Sequence, residues 1–303
     1  MTAAPFPAPE SRAKQPVLGF WQRLDPPWLI SILITLILVL GEWQYQIIGG
    51  YERLFAALGM AILLEVLLGY FVRGRVPRVQ SAYVSGISAT LLTKPASGVI
   101  WPVAFVAMIA IASKYALTYR GRHLWNPTNF GICAMLLIAP QSMSILGSDF
   151  GNALSTNLVI WAVGILIAYR SKILHVTATY LIAFVAFALL RSSITHVPPL
   201  IEIAPVTGPM YQLFLFFMVT VPRTTVSTRR GRIVVAILIA AAECAIRMGN
   251  DFGFAPFAVF QPAPSMYALT IVGPAAMFFD LWRAGRAEST ALNSSGARPV
   301  GLG

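Results

Sequence analysis

A polar segment at residues 120–131, RGRHLWNPTNFG, is the stretch of the chain best equipped for ligand chemistry. It places an indole, two amides and basic groups at the start of an apolar run, around an Asn-Pro pair. Such a pair is typical of a helix start, where backbone N–H groups can bind an anion or a polar heteroaromatic ring. The candidate ligand residues are His123, Trp125, Asn126 and Asn129. A simple capping asparagine is the alternative interpretation.

A second candidate segment, TVPRTT at residues 220–225, follows another apolar run. A helix broken at proline exposes carbonyl groups, and neighbouring hydroxyls add polar contacts at membrane depth. We therefore expect Thr220, Thr224 and Thr225 to converge with Asn126 and Asn129 on one polar ligand site.

Three ionisable residues lie inside apolar runs. Glu65 is in the middle of its run, so it should face a partner or a wet cavity, or make a structural hydrogen bond to a neighbouring helix. Lys114 lies near the end of its run, where its ammonium group can snorkel to the interface. Glu243 precedes Arg247 by four residues, the spacing of an intrahelical ion pair.

The composition excludes an ordinary soluble protein. Hydrophobic residues make up 57% of the 303 residues and charged residues only 11%, with a mean hydropathy of +0.72, whereas soluble domains carry about a quarter charged residues. The net charge of +11 is confined to short gaps between apolar runs, so nucleic acid is not an expected partner. Cys133 and Cys244 lie in separate apolar runs, which favours packing roles over a metal site.

Apolar runs recur along the chain and predict an all-α integral membrane protein of about ten transmembrane helices. The runs fall at about 28–45, 53–72, 80–93, 98–117, 127–140, 152–169, 173–191, 209–221, 233–248 and 258–282. Some are too short to span unless they are broken or shielded. Ten spans place all but four of the 22 basic residues on one side. The positive-inside rule then predicts a bacterial cytoplasmic membrane protein with both termini cytoplasmic.

The two halves of the chain show a weak resemblance, for which chance similarity between apolar segments is the alternative interpretation. In each, a short run ends near a proline and is followed by a full run, a polar turn and a last run. Five spans per half imply inverted repeats, at about 26–140 and 152–284, within one transmembrane domain at 26–284. Residues 1–25 are expected to form a flexible cytoplasmic lead, and residues 285–303 a disordered cytoplasmic tail.

The serial order of several short motifs resembles a known family, over about residues 55–282. The motifs are Glu65, SAYVSG at 81–86, LLTKP at 91–95, Lys114, GRHLWNP at 121–127, TVP at 220–222 and Asp280. Together they resemble the RnfD/NqrB family, whose members are membrane components of the Rnf electron-transport complex and of the sodium-pumping NADH:quinone reductase. Members of this family have ten helices in two inverted repeats.

The resemblance implies a component of an electron-transport complex that carries riboflavin non-covalently near the Asn-Pro segment. It also implies FMN joined to a Thr of a Ser-Gly-Ala-Thr motif after the fifth helix. Here the outer loop, PQSMSILGSDFG at 140–151, lacks that motif, so covalent FMN is not expected. Two further departures are Val221 in place of the family's Asp and His123 in place of its first Asn.

The sequence therefore supports a divergent relative of this family that binds riboflavin or another non-covalent flavin. The alternatives are a transporter or permease on the same inverted-repeat scaffold, and a membrane anchor for a redox or biosynthetic partner. The lipid bilayer is the one partner that all three share. The residues identify no catalytic group, electron donor, electron acceptor or coupling ion.

We predict that the protein carries no covalent flavin, because no threonine lies in residues 141–151 to accept a phosphoester. Flavin fluorescence in a denaturing gel measures this directly. A fluorescent band at the mass of the chain would contradict the prediction.

Overall fold

A computed structural model describes residues 26–145, 154–219 and 226–294 of the chain. Its regular structure is almost entirely helical, which confirms the all-α prediction. The helices are α1 (Pro26–Tyr45), α2 (Tyr51–Arg73), α3 (Gln80–Leu92), α4 (Trp101–Ala116), α5 (Pro127–Ile138), α6 (Leu154–Arg170), α7 (Leu174–Thr195), α8 (Pro199–Ile203), α9 (Pro209–Phe217), α10 (Arg229–Asp251) and α11 (Pro264–Ser294). Short 3-10 turns occupy Ala204–Thr207 and Ala255–Phe260.

Two short antiparallel strand pairs hold the connections of the first half in place. Strand β1 (Thr93–Pro95) follows α3 directly and pairs with β4 (Met143–Ile145), which follows α5. Strands β2 (Thr118–Tyr119) and β3 (Arg122–His123) form a hairpin between α4 and α5. The first pair therefore joins the segment after α3 to the segment after α5.

Within the described residues, four helices are long and apolar enough to cross a membrane. They are Tyr51–Arg73, Leu174–Thr195, Arg229–Asp251 and Pro264–Arg286. A fifth candidate is the bent pair formed by Pro199–Thr207 and Pro209–Phe217, whose two parts meet at 65°. This number supports a membrane protein but does not confirm ten spans. Several predicted spans are too short to cross by themselves. The 12 residues of α5, for example, extend about 18 Å, well short of a hydrocarbon core of about 30 Å.

Several helix contacts recur in the two halves, although the extensive α2–α3 contact has only a slight counterpart between α7 and α9. Helix α2 packs extensively against α4, and α4 against α5; correspondingly, α7 packs against α10, and α10 against α11. Helix α1 contacts α3 much as α6 contacts α9. The halves meet where α1 contacts α6 and where α5 contacts α11, so the first helices of the two halves meet each other, as do the last.

The boundaries of the predicted domains differ from the structure at the C-terminal end. Helix α11 continues to Ser294, ten residues into the predicted tail at 285–303. After Pro274, no proline follows in the sequence until Pro299. The predicted lead at 1–25 and residues 295–303 lie outside the described part of the chain.

We predict that the turns at Gly121 and Gly253 lie on opposite sides of the membrane. Gly121 follows the predicted fourth span, whereas Gly253 follows the predicted ninth, and both glycines are exposed. Alkaline phosphatase fused after Gly253 should be active in the periplasm, and a fluorescent protein fused after Gly121 should fluoresce in the cytoplasm. Two fusions that report the same side would contradict the topology.

Candidate functional site

The segment at 120–131 is presented by the β2–β3 hairpin. Its turn residues Arg120 and Gly121 both have positive φ, 49° and 74°, as a tight two-residue hairpin turn requires. The backbone N–H of Leu124 donates to the carbonyl of Leu117, 3.2 Å away, and extends the contact beyond the strands. The hairpin thus fixes the path by which the chain enters α5. His123 is half-buried in β3, where it pairs with Thr118.

Asn126 caps α5 and also contacts the second half of the chain. Its Oδ1 accepts a hydrogen bond from the backbone N–H of Asn129 at 3.3 Å, and Pro127 occupies the first turn. The predicted helix start at the Asn-Pro pair is therefore confirmed. Its Nδ2 donates to the carbonyl of Met218, 3.3 Å away, just beyond the end of α9.

Trp125 contacts a carbonyl that a proline leaves free. Pro274 lies inside α11, so the carbonyl of Thr270, four residues earlier, receives no helical N–H bond. The indole Nε1 of Trp125 donates to that carbonyl at 3.0 Å. Trp125 therefore satisfies the broken position of the last helix from the first half of the chain.

Asn129 is buried between α5 and α11. Its Nδ2 donates to the carbonyl of Met266 at 3.0 Å and to the hydroxyl of Thr270 at 2.7 Å. That hydroxyl also lies 3.2 Å from the Sγ of Cys133. The Oδ1 of Asn129 is buried and accepts no hydrogen bond, although the residue is only 1% exposed. An unused acceptor in an apolar interior is unfavourable unless a donor reaches it.

The structure thus brings three of the predicted site residues together and leaves the others separate or outside its range. Trp125, Asn126 and Asn129 lie together where α5 meets α11 and the end of α9. Thr220, Thr224 and Thr225 lie outside the described residues, although Asn126 contacts Met218, two residues before Thr220. Sequence reasoning missed Thr270, whose partners on α5 are more than 130 residues away along the chain.

The Glu65 carboxylate lies at the α2–α4 interface and is paired with Lys114. Its Oε2 lies 3.4 Å from the Lys114 ammonium, and its Oε1 accepts from the Tyr115 hydroxyl at 3.1 Å. Lys114 also donates to the hydroxyl and the carbonyl of Ser81. The lysine side chain is buried, so the expectation that it snorkels to the interface is wrong. The reason is that Glu65 and Ser81 supply partners inside the protein.

Glu243, on α10, is a buried carboxylate of the second half. The predicted pair with Arg247 is confirmed, since two guanidinium nitrogens donate to Oε1 at 2.9 and 2.7 Å. Its Oε2 accepts from the hydroxyls of Tyr180 on α7 and Tyr211 on α9, at 2.5 and 2.8 Å. Four hydrogen bonds therefore satisfy a carboxylate that is fully buried.

Arg191 is the centre of a further ion cluster that sequence reasoning did not identify. Its Nη1 lies 2.6 Å from Glu202 on α8, and its Nε lies 2.7 Å from Asp251 at the end of α10. These separations along the chain follow no helical spacing, so only the fold could reveal them. Within the described ranges, the structure contains no group of three or more His, Cys, Asp or Glu residues suited to a metal ion.

The chain matches no protein-family model and no curated protein.

We predict that removing one member of the Glu65–Lys114 pair destabilises the protein more than removing both. Glu65→Gln or Lys114→Met leaves a buried charge unpaired, which typically costs about 3–5 kcal/mol, whereas removing both charges costs much less. Thermal unfolding of the purified variants in detergent measures this, with exposed Arg75→Gln as the control. Additive effects in the double variant would show that the two charges do not interact.

Proposed function

We propose that the chain is a ten-span protein of the bacterial cytoplasmic membrane, built from two inverted five-helix repeats with both termini cytoplasmic. The matching helix contacts of the two halves support this organisation. Each half also places a buried carboxylate, a cation and a tyrosine hydroxyl at its α2–α4 or α7–α10 interface. Because each repeat has an odd number of spans, the second is inverted relative to the first.

The proposed function is that of a divergent relative of the RnfD/NqrB family, associated with electron transport. Residues that carry the resemblance also make the contacts that hold the helices together. Glu65 pairs with Lys114, and Asn126 ties the start of α5 to the end of α9. A general hydrophobic pattern alone does not require these particular side chains, so their contacts support the proposed relationship.

We infer that the polar site around Asn129 holds riboflavin or a similar flavin ring without a covalent bond. The observation that carries this inference is the unused Oδ1 of Asn129 at the junction of the two halves. A flavin ring offers an imide N–H that suits this acceptor, and Trp125 supplies an adjacent aromatic face. The protein would position the ring, and the flavin would carry the electrons to or from a membrane partner.

Ligand entry requires local opening, because both Asn126 and Asn129 are buried. The carbonyl of Thr270, freed by Pro274, marks an interruption of α11, and the carbonyl of Met218 lies just beyond the end of α9. Helix interruptions of this kind are where membrane proteins place polar ligand sites. The α5–α11 junction is therefore the part of the bundle best suited to open around a ring.

A transporter on the same scaffold is the second candidate function. The observation that favours it is the bent pair of Pro199–Thr207 and Pro209–Phe217, a discontinuous segment with an angle of 65°. Transporters often build substrate sites from such broken segments. This function requires a transported substrate and no flavin.

We predict that protein purified in mild detergent shows the visible absorption bands of a flavin. Asn129→Leu should weaken flavin binding about tenfold, since one buried hydrogen bond contributes about 1–1.5 kcal/mol. Asn157→Leu is the matched control, because this amide contacts Gln212 in a different part of the bundle. A colourless protein that also fails to bind added riboflavin would exclude the flavin function and leave the transporter.

A further inference from the structure

Helix α8 (Pro199–Ile203) is held against the bundle mainly by one charged side chain. Its only buried residue is Glu202, whereas Leu200 is 82% exposed and Ile201 is 61% exposed. Apolar burial within the protein therefore contributes little to the position of this helix. A segment with few buried apolar contacts needs little free energy to open locally.

The polar contact that holds Glu202 is its ion pair with Arg191 on α7. Its Oε2 lies 2.6 Å from Nη1 of Arg191, and the Glu202 side chain is only 1% exposed. Within the described residues, neither carboxylate oxygen of Glu202 accepts a hydrogen bond, whereas Glu243 accepts four. Burying a carboxylate with so few partners is unfavourable. Hydration of Glu202 on opening would therefore offset much of the loss of the ion pair.

Arg191 has a second carboxylate partner, which does not belong to α8. Its Nε lies 2.7 Å from Oδ2 of Asp251 at the end of α10. Helices α7 and α10 also pack extensively against each other. The arginine therefore keeps a partner, and the bundle keeps its packing, when Glu202 moves away.

Hydrogen bonds anchor the chain on both sides of α8. Before the helix, the hydroxyl of Ser192 donates to the carbonyl of Val197 at 2.7 Å. After it, Nε2 of Gln212 donates to the carbonyls of Val206 and Thr207, each at 3.3 Å. The segment between these anchors can therefore move as a flap while both of its ends stay attached.

A small cavity lies between α7, α8 and α10. Its polar wall is formed by Arg191, Glu202, Glu243 and Arg247, and Cys244 of α10 lines it as well. The cavity has room for about one water molecule. Because Glu202 is both a wall of the cavity and half of the ion pair, breaking the pair also opens the cavity.

We propose that α8 is a gate, closed by the Arg191–Glu202 ion pair, that controls the access of water and small polar solutes from the outer side to the buried carboxylate of Glu243. The cavity is the space that opens first, because the gate and the Glu243–Arg247 pair face it together. The outer side follows from the ten-span organisation of the proposed function, in which α7 and α10 both end there. The gating itself does not depend on flavin binding.

The two native cysteines provide the probes for the test. Cys244 lines the cavity and is 9% exposed, so its labelling reports opening of the gate. Cys133 is 2% exposed and contacts Thr270 of α11, so its labelling reports unfolding. The reagent is a positively charged, membrane-impermeant methanethiosulfonate, applied to right-side-out membrane vesicles that contain the full-length protein. Mass spectrometry measures the labelling rate of each cysteine.

Glu202→Gln should speed the labelling of Cys244 by about tenfold or more, the effect of losing one buried ion pair on a local opening equilibrium. Asp251→Asn is the matched control, because it removes the other carboxylate on Arg191 without changing α8, and it should label at nearly the wild-type rate. Cys133 should stay unlabelled throughout. If Glu202→Gln unfolds and exposes Cys133, Glu202→Asp replaces it, with a smaller increase expected because the charge remains on a shorter side chain.

Three outcomes would overturn the proposal. The first is rapid labelling of Cys244 in the wild type, which would show that the cavity is already open. The second is a wild-type labelling rate in both Glu202 variants. The third is an equal increase in Asp251→Asn, which would show general loosening of the ion cluster instead of release of α8. Failure of the proposed topology is distinguishable, because the Glu202 variants would then label faster only in inside-out vesicles.

Discussion

Polar groups buried in an apolar bundle must find their partners within the protein, and this constraint explains most of the specific contacts of the chain. Glu65 and Glu243 illustrate it in the two halves. Each carboxylate has a cation and at least one tyrosine hydroxyl as partners, and each lies between helices that pack extensively. Because Lys114, Tyr180 and Tyr211 lie on helices other than that of the carboxylate they contact, these contacts favour one arrangement of the bundle. Apolar packing alone would allow neighbouring helices to rotate or slide more freely.

Backbone carbonyls at interrupted or terminated helices also need hydrogen-bond donors within the protein. Pro274 leaves the Thr270 carbonyl without its helical donor, and the Met218 carbonyl lies beyond the end of α9. Trp125 and Asn126, consecutive in sequence, donate to these two carbonyls. One short segment of the first half therefore contacts both the end of α9 and the interrupted position of α11. A motif that looks like a ligand site in sequence thus has a structural task as well.

Sequence reasoning succeeded where the signal was local. The helix start at Asn126 and Pro127 follows from capping preferences, and the Glu243–Arg247 pair follows from their spacing. It failed for Lys114, because the partner Glu65 lies on another helix and no spacing rule connects the two. The Arg191 cluster and Thr270 were missed for the same reason. Contacts between distant segments depend on how the helices pack, and no local pattern in a single sequence reveals them.

The hydrogen bonds that Asn126 and Trp125 already make limit the ligand groups that these side chains could contact. Asn126 uses Oδ1 for its cap and Nδ2 for Met218, and Trp125 uses its only side-chain N–H for Thr270. A ligand that bound these groups would break their hydrogen bonds to α11 and to the end of α9. Asn129 differs, because its Nδ2 is committed to α11 while its Oδ1 accepts nothing. The unused atom of Asn129 is therefore an acceptor, which suits a group that donates a hydrogen bond and would repel an anion. This asymmetry favours a neutral ring with an N–H group over a phosphate at this site.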